Sequence, residues 1–284
     1  MARGTTCLLA GVALALVSTT PLRSAEATAE VPFELYQHHL VVAKGAIGQL
    51  SNLNLLIDTG TIPSAVDQRI ARKLHLQTEP AALVAFGQRV PVTGAILADG
   101  FRIGSLRTGP VPVHVSDLSY LDGVQVDAIV GLDVLSRTSF SIDYQARALN
   151  LEPADREDAV VPMEIAWPFV TVQMTIGGSL VRLLVDTGSS DLVLFQSRMP
   201  ATHSPAPWRG DKIVQYASGP ARLQRFELRE ASLGSHVWDK LAAWGLDRSV
   251  DGYPPNVDGV LGVMALGCRR IRFDFEQGEF GWSR

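Results

Sequence analysis

Two short stretches set a carboxylate in the same surroundings. LLIDTGTIPSAV (residues 55–66) and LLVDTGSSDLVL (residues 183–194) each run through apolar residues into Asp-Thr-Gly and turn apolar again. A single Asp-Thr-Gly arises by chance at on the order of one position in several thousand. Alone it describes a strand ending in a turn, where Asp bonds nearby backbone and Gly supplies a positive φ. Here there are two, at Asp58 and Asp186, and each is followed roughly 70 residues later by apolar-apolar-Gly. The chemistry open to such a pair is specific. Two carboxylates within hydrogen-bonding distance cannot both ionise cheaply, so they share one proton and titrate as a unit. The ionised member can take a proton from water while the other carries one to a carbonyl or a leaving group. Such hydrolysis needs neither a metal nor a covalent intermediate.

The elements that must position these residues also occur twice. LVVAKGAIGQLSNLNLLIDTG corresponds to FVTVQMTIGGSLVRLLVDTG, with one residue of slip in the turn after Gly48 and Gly177. FRIGSLR corresponds to EASLGSHV, with Gly104 matching Gly234, and the segment starting at Asp127 corresponds to the one starting at Asp258. Two copies are too few for a solenoid but suit two domain-sized lobes. Residues 28–152 are expected to form the first lobe and 162–284 the second. The charged stretch 153–161, with Pro153 at its start, is expected to link them. FELYQHHLVV, VTVQMTI, RLLVD, FSIDY and IRFDFE alternate in period two and are rich in β-branched and aromatic residues. The chain is therefore expected to be all-β with minor helix. Helix is expected within 63–76, with Pro63 in a first turn, and at LDVLSR and VMALGC after the two apolar-apolar-Gly runs.

Asp58-Thr59-Gly60 with Ile129-Val130-Gly131, and Asp186-Thr187-Gly188 with Val260-Leu261-Gly262, resemble the aspartic peptidases of the pepsin and retroviral-protease kind. The second motif is the closer match. The first carries Thr61 and Ile62 where small or polar residues are usual, and it resembles the retroviral-type bacterial proteins. The resemblance spans nearly all of residues 31–284. It implies two homologous acid-protease-type β-barrel lobes with the active site in the cleft between them. It implies Asp58 and Asp186 as catalytic residues, with Gly60 and Gly188 letting backbone approach the carboxylates and Thr59 and Thr187 locking the two loops together. It also implies a β-hairpin over the substrate. Matching ALVAFGQRVPVTG to KIVQYASGPARLQ makes Phe86 and Tyr216 the candidates for covering the site. The implied activity is that of an aspartic endopeptidase on extended peptides, in a monomer with intramolecular lobe pairing. Two alternatives remain at this point: a peptide-binding or scaffold protein of the same fold without turnover, and lobes that pair with their twins in a second chain.

The rest of the sequence bounds these expectations. The formal net charge is −4 and the basic residues are scattered, so no nucleic-acid surface is expected. The short cluster Arg269, Arg270 and Arg272 reads as a solvated strand edge. Arg3, an apolar stretch from Cys7 to Val17, and Ala25-x-Ala27 have the layout of a secretory signal, residues 1–27. The expectation is a protein outside the cytoplasm, periplasmic or secreted, with no membrane span after cleavage; an uncleaved N-terminal anchor is the competing reading. Cys268 would then stand alone, a buried thiol without a disulfide partner. The six histidines show no metal-ligand spacing, and adjacent His38 and His39 would point to opposite faces of a strand. No metal or cofactor is expected.

Overall fold

The computed structural model of the chain describes residues 29–85, 88–121, 123–152, 157–166, 168–199, 207–216, 219–247, 250 and 252–284. The signal expected at 1–27 and Phe86 lie outside the described residues, as does the side chain of Tyr216.

Strand dominates both halves. The first runs β1 (Glu30–Tyr36), β2 (Leu40–Ile47), β3 (Leu50–Ile57) and β4 (Ala65–Asp67), then helix α1 (Gln68–Lys73). Next come β5 (Glu79–Ala85), β6 (Gln88–Leu97), β7 (Phe101–Ile103), β8 (Leu106–Arg107) and β9 (Val111–Ser116). It closes with β10 (Ala128–Val130), α2 (Leu132–Leu135), β11 (Phe140–Asp143) and β12 (Ala148–Leu151). The second half opens with β13 (Ala159–Pro162), β14 (Glu164–Ala166), β15 (Phe169–Ile176), β16 (Ser179–Asp186) and β17 (Leu192–Phe195). It continues with β18 (Pro207–Tyr216), β19 (Gly219–Leu233), β20 (His236–Leu246), β21 (Gly259–Gly262), β22 (Arg270–Asp274) and β23 (Glu279–Ser283).

The repeat in the sequence is a repeat in topology. In the first lobe β3 lies parallel to β10, which lies antiparallel to β4, which lies parallel to β9. In the second, β16, β21, β17 and β20 repeat those relations in the same order. Hairpins β5–β6 and β18–β19 correspond, closing at Ala85 opposite Gln88 and at Tyr216 opposite Gly219. Gly104 and Gly234 both take positive φ, at the matched β7–β8 and β19–β20 turns, a conformation glycine adopts without steric cost. Behind the lobes runs a shared seam of strands in the order β13-β23-β22-β11-β12-β1, in which β11 pairs antiparallel with β22 across the lobe boundary. Phe140 sits opposite Phe273 in this seam, their rings stacked at 4.9 Å. The two barrel-like lobes and the seam share one buried apolar cluster, running from Val31 to Trp282.

Several local expectations need correction. Helix begins only at Gln68, because Ala65–Asp67 is a strand held by β10 on one side and β9 on the other. Tertiary pairing outweighs the helical pattern there, and Asp67 caps the helix by accepting the Arg69 amide. Pro63 therefore lies ahead of the helix, not in its first turn. The run after Gly262 is a 3₁₀ turn, Val263–Leu266. FELYQHHLVV is not one strand but two, with Gln37 and His38 at positive φ in the turn between them, so His38 and His39 have no opposed strand faces. The arginine cluster is not at a solvated edge. β22 is paired on both sides; Arg270 binds the buried Glu157 at 2.7 Å and Arg272 binds Asp274 at 2.5 Å. Of the connecting stretch, residues 153–156 lie outside the described residues. From Glu157 onward the chain is held to the seam, with Val161 opposite Phe280.

Candidate active site

Each Asp-Thr-Gly lies where a strand leaves the sheet beside the apolar-apolar-Gly strand. The Asp58 amide donates to the Val130 carbonyl, and Val185 sits opposite Leu261 in the second lobe. The glycines of the apolar runs are sterically required. A Cβ at Gly131 would stand 2.3 Å from the Thr61 carbonyl oxygen, and one at Gly262 would stand 2.4 Å from the Asp191 nitrogen. The loop and the strand thus touch backbone to backbone, which no larger residue permits. Asp127 and Asp258, which open the two matched segments, tie these strands in the same way. Their carboxylates accept the Asn54 and Arg182 amides, both at 2.9 Å.

The two loops meet at the lobe boundary. Thr59 and Thr187 are fully buried. The Thr59 amide donates to Thr187 Oγ1 at 3.0 Å and the Thr187 amide donates to Thr59 Oγ1 at 3.1 Å. Each hydroxyl then donates across the boundary, Thr59 to the Val185 carbonyl at 2.8 Å and Thr187 to the Ile57 carbonyl at 2.9 Å. Four reciprocal bonds therefore fix the carboxylates that precede them.

Those carboxylates are brought together. A Cβ at Gly60 would meet the Asp186 carboxyl at 2.5–2.6 Å, and one at Gly188 would meet the Asp58 carboxyl at 2.7–2.9 Å. Each glycine amide donates to its own lobe's aspartate, Gly60 to Asp58 at 2.8 Å and Gly188 to Asp186 at 2.7 Å. The surroundings then differ. Thr61 Oγ1 donates to Asp58 Oδ2 at 2.6 Å, whereas the matching Ser189 hydroxyl turns toward the Asp191 backbone. Burial holds the Asp186 carboxyl well above the usual carboxylate range, helped by the Asp58 charge and a hydrogen bond between the two; the Gly188 amide opposes the rise. Burial thus favours the protonated form at Asp186, while the Asp58 carboxyl accepts from both the Gly60 amide and the Thr61 hydroxyl.

Both aspartates line a cleft of about 1000 Å³ that also takes in residues of hairpins β5–β6 and β18–β19. Its first-lobe wall includes Leu40, Leu56, Ile129 and Tyr120, and its second-lobe wall includes Phe169, Val193, Val214 and Tyr253. Burial, with the Asp58 charge, pushes the Tyr120 hydroxyl up to about 12, so it stays protonated beside the pair. The Tyr253 loop is pinned by Arg198, whose guanidinium donates to the carbonyls of Val250, Tyr253, Pro254 and Val257. The structure thus brings together Asp58, Thr59, Gly60, Asp186, Thr187 and Gly188. Cys268 lies away from the cleft; it is buried, and its thiol is pushed up to about 12 by that burial. Sequence reasoning missed Thr61, which it treated only as a departure from the usual motif. It also missed Tyr120 and Arg198, whose partners lie far off in sequence.

Comparison with protein families gives the same outline. The family model described as "Aspartyl protease" matches residues 43–134 and 172–265, which together make up more than half of the chain. The chain belongs to this aspartyl protease family. The matched segments run from β2 into α2 and from β15 into the 3₁₀ turn, so each covers one loop-and-strand unit of the repeat. Comparison with curated proteins returned no match. No helix among the described residues is long and apolar enough to cross a membrane.

Proposed function

We propose that the protein is an aspartic endopeptidase whose single dyad is Asp58 with Asp186. The observation that carries this reading is the close approach of two carboxylates from different lobes where both line the cleft. A water between them would give a proton to Asp58 as it attacks the peptide carbonyl, while the Asp186 proton polarises the carbonyl oxygen. Collapse of the tetrahedral intermediate then returns the proton taken by Asp58 to the leaving amine. Gly60 and Gly188, through their amides, orient the carboxylates for this exchange. The substrate would be an extended peptide bound by main-chain bonds along the cleft, its side chains set against the apolar walls. Four bonds between Thr59 and Thr187 and their partner loops support intramolecular lobe pairing in a monomer over pairing between chains. The signal-like leader supports a place outside the cytoplasm.

The test is cleavage of a peptide library between about pH 3 and 8, beside Asp58→Asn and Asp186→Asn and with a statine-type inhibitor. Each single substitution should abolish cleavage in a species of monomeric mass. Substantial activity left in either variant would show that the aspartates do not form one site.

A further inference from the structure

We propose that Lys212 is a positioning residue that latches the second-lobe hairpin onto the active-site loop. The proposal rests on the peptidase reading of the cleft, but its test measures hairpin position and not turnover.

Lys212 stands on β18, the outer strand of the second hairpin, and faces the cleft. Its ammonium binds Asp191 Oδ2 at 2.5 Å and lies 4.2 Å from the centre of the Trp244 ring. The indole N–H of Trp244 donates to Asp191 Oδ1 at 3.0 Å, and the Ser190 hydroxyl donates to Oδ2 at 2.9 Å. Three donors thus converge on one carboxylate. That carboxylate is itself rooted in the loop that carries Asp186, and the Asp191 carbonyl accepts the Gly262 amide at 2.8 Å. The lysine and aspartate side chains are each 30% exposed, so their attraction is screened less than that of a surface pair, and the indole face adds to it.

Among the described residues the first lobe has no counterpart of this device. β9 sets His114 opposite Ala65 as β20 sets Trp244 opposite Val193, so His114 takes the place of the tryptophan. Pro63 stands five residues after Asp58, where Asp191 stands five after Asp186. Counting back from the closing pairs of the hairpins puts Ala81 at the position of Lys212, one residue before the Ala82 of the sequence match, and neither bears a charge. Among the described residues no ion pair joins β5 or β6 to the Asp58 loop. Leu83 and Val90 of that hairpin still line the cleft. The second-lobe hairpin is thus the one fastened to its active-site loop by charge.

The experiment is distance measurement between paired spin labels in the full chain, on a Cys7→Ser background; the buried Cys268 thiol resists labelling. Ile213→Cys with Leu180→Cys, both well exposed, reports the second hairpin, and Arg89→Cys with Arg107→Cys reports the first. The second-lobe distance should be narrow in the parent protein and in Lys212→Arg, which keeps the charge. Lys212→Met keeps the aliphatic stem and should add a longer-distance population, raising the open fraction roughly tenfold. The first-lobe distance should be indifferent to residue 212. A Lys212→Met distribution matching the parent would overturn the latch, because packing of the stem would then suffice. A first-lobe distance that shifted along with the second in Lys212→Met would also overturn it, because the effect would then not be local to the second hairpin. Absence of peptide cleavage alongside the expected distances would count against the peptidase reading and leave the latch standing.

Discussion

Replacing Thr59 with valine isolates what the threonine exchange contributes. Valine keeps the shape of the side chain, so no cavity opens. It removes the hydroxyl that donates to the Val185 carbonyl and accepts the Thr187 amide, and both of those groups are left without a partner in a fully buried setting. A buried polar group stripped of its hydrogen bond costs about 1–3 kcal/mol. Two such groups give a loss of about 2–6 kcal/mol, against a total stability of about 5–15 kcal/mol for a folded domain. Thr59→Ser keeps both bonds and gives up a single methyl, about 0.8 kcal/mol. The assay is equilibrium urea unfolding of the parent and both variants, followed by tryptophan fluorescence. A Thr59→Val loss below about 1 kcal/mol, or equal losses for the two variants, would refute the view that these bonds hold the lobes in register.

Two more outcomes follow from the same geometry. Gly60→Ala places a methyl 2.5–2.6 Å from the Asp186 carboxyl, so the carboxylates must separate by most of an ångström. Displacement on that scale should lower kcat about 100-fold with the fold intact by circular dichroism, and near-parent turnover would contradict the close approach. Asp186→Asn should alter how stability depends on pH. The raised carboxyl keeps its proton where the unfolded chain has lost it, so the folded state binds more protons and stability falls as pH rises above about 4. Asparagine has no proton to lose, so the variant should gain on the parent as pH rises above about 4 in urea titrations, and a pH-independent difference would argue against the raised carboxyl.

What was legible in the sequence follows from which constraints are local. Gly131 and Gly262 must be glycine because backbone lies within 2.4 Å of where a Cβ would be, and so the apolar-apolar-Gly signature is written in the chain itself. Asp-Thr-Gly is legible for a similar reason, since each residue type has one task at one place. Strand β4 was not legible. Its three residues, Ala65–Asp67, precede a helical pattern, and only β9 and β10, some 50–60 residues further on, make them a strand. Arg270 looked like a surface charge because its partner, Glu157, is 113 residues away. The tie among Lys212, Asp191 and Trp244 was hidden likewise, across separations of 21 and 53 residues.

The seam that backs the two lobes bears on how the chain is made. Strand β11 finishes at Asp143, but the strand that covers its outer edge, β22, begins at Arg270. At a synthesis rate of about 5–20 residues per second, that edge waits on the order of ten seconds for its neighbour to emerge. Throughout the wait it is a row of open backbone donors and acceptors, the template on which strands of other chains assemble. The first lobe therefore leaves the ribosome unfinished on one side, and it is closed only by β22 of the other lobe.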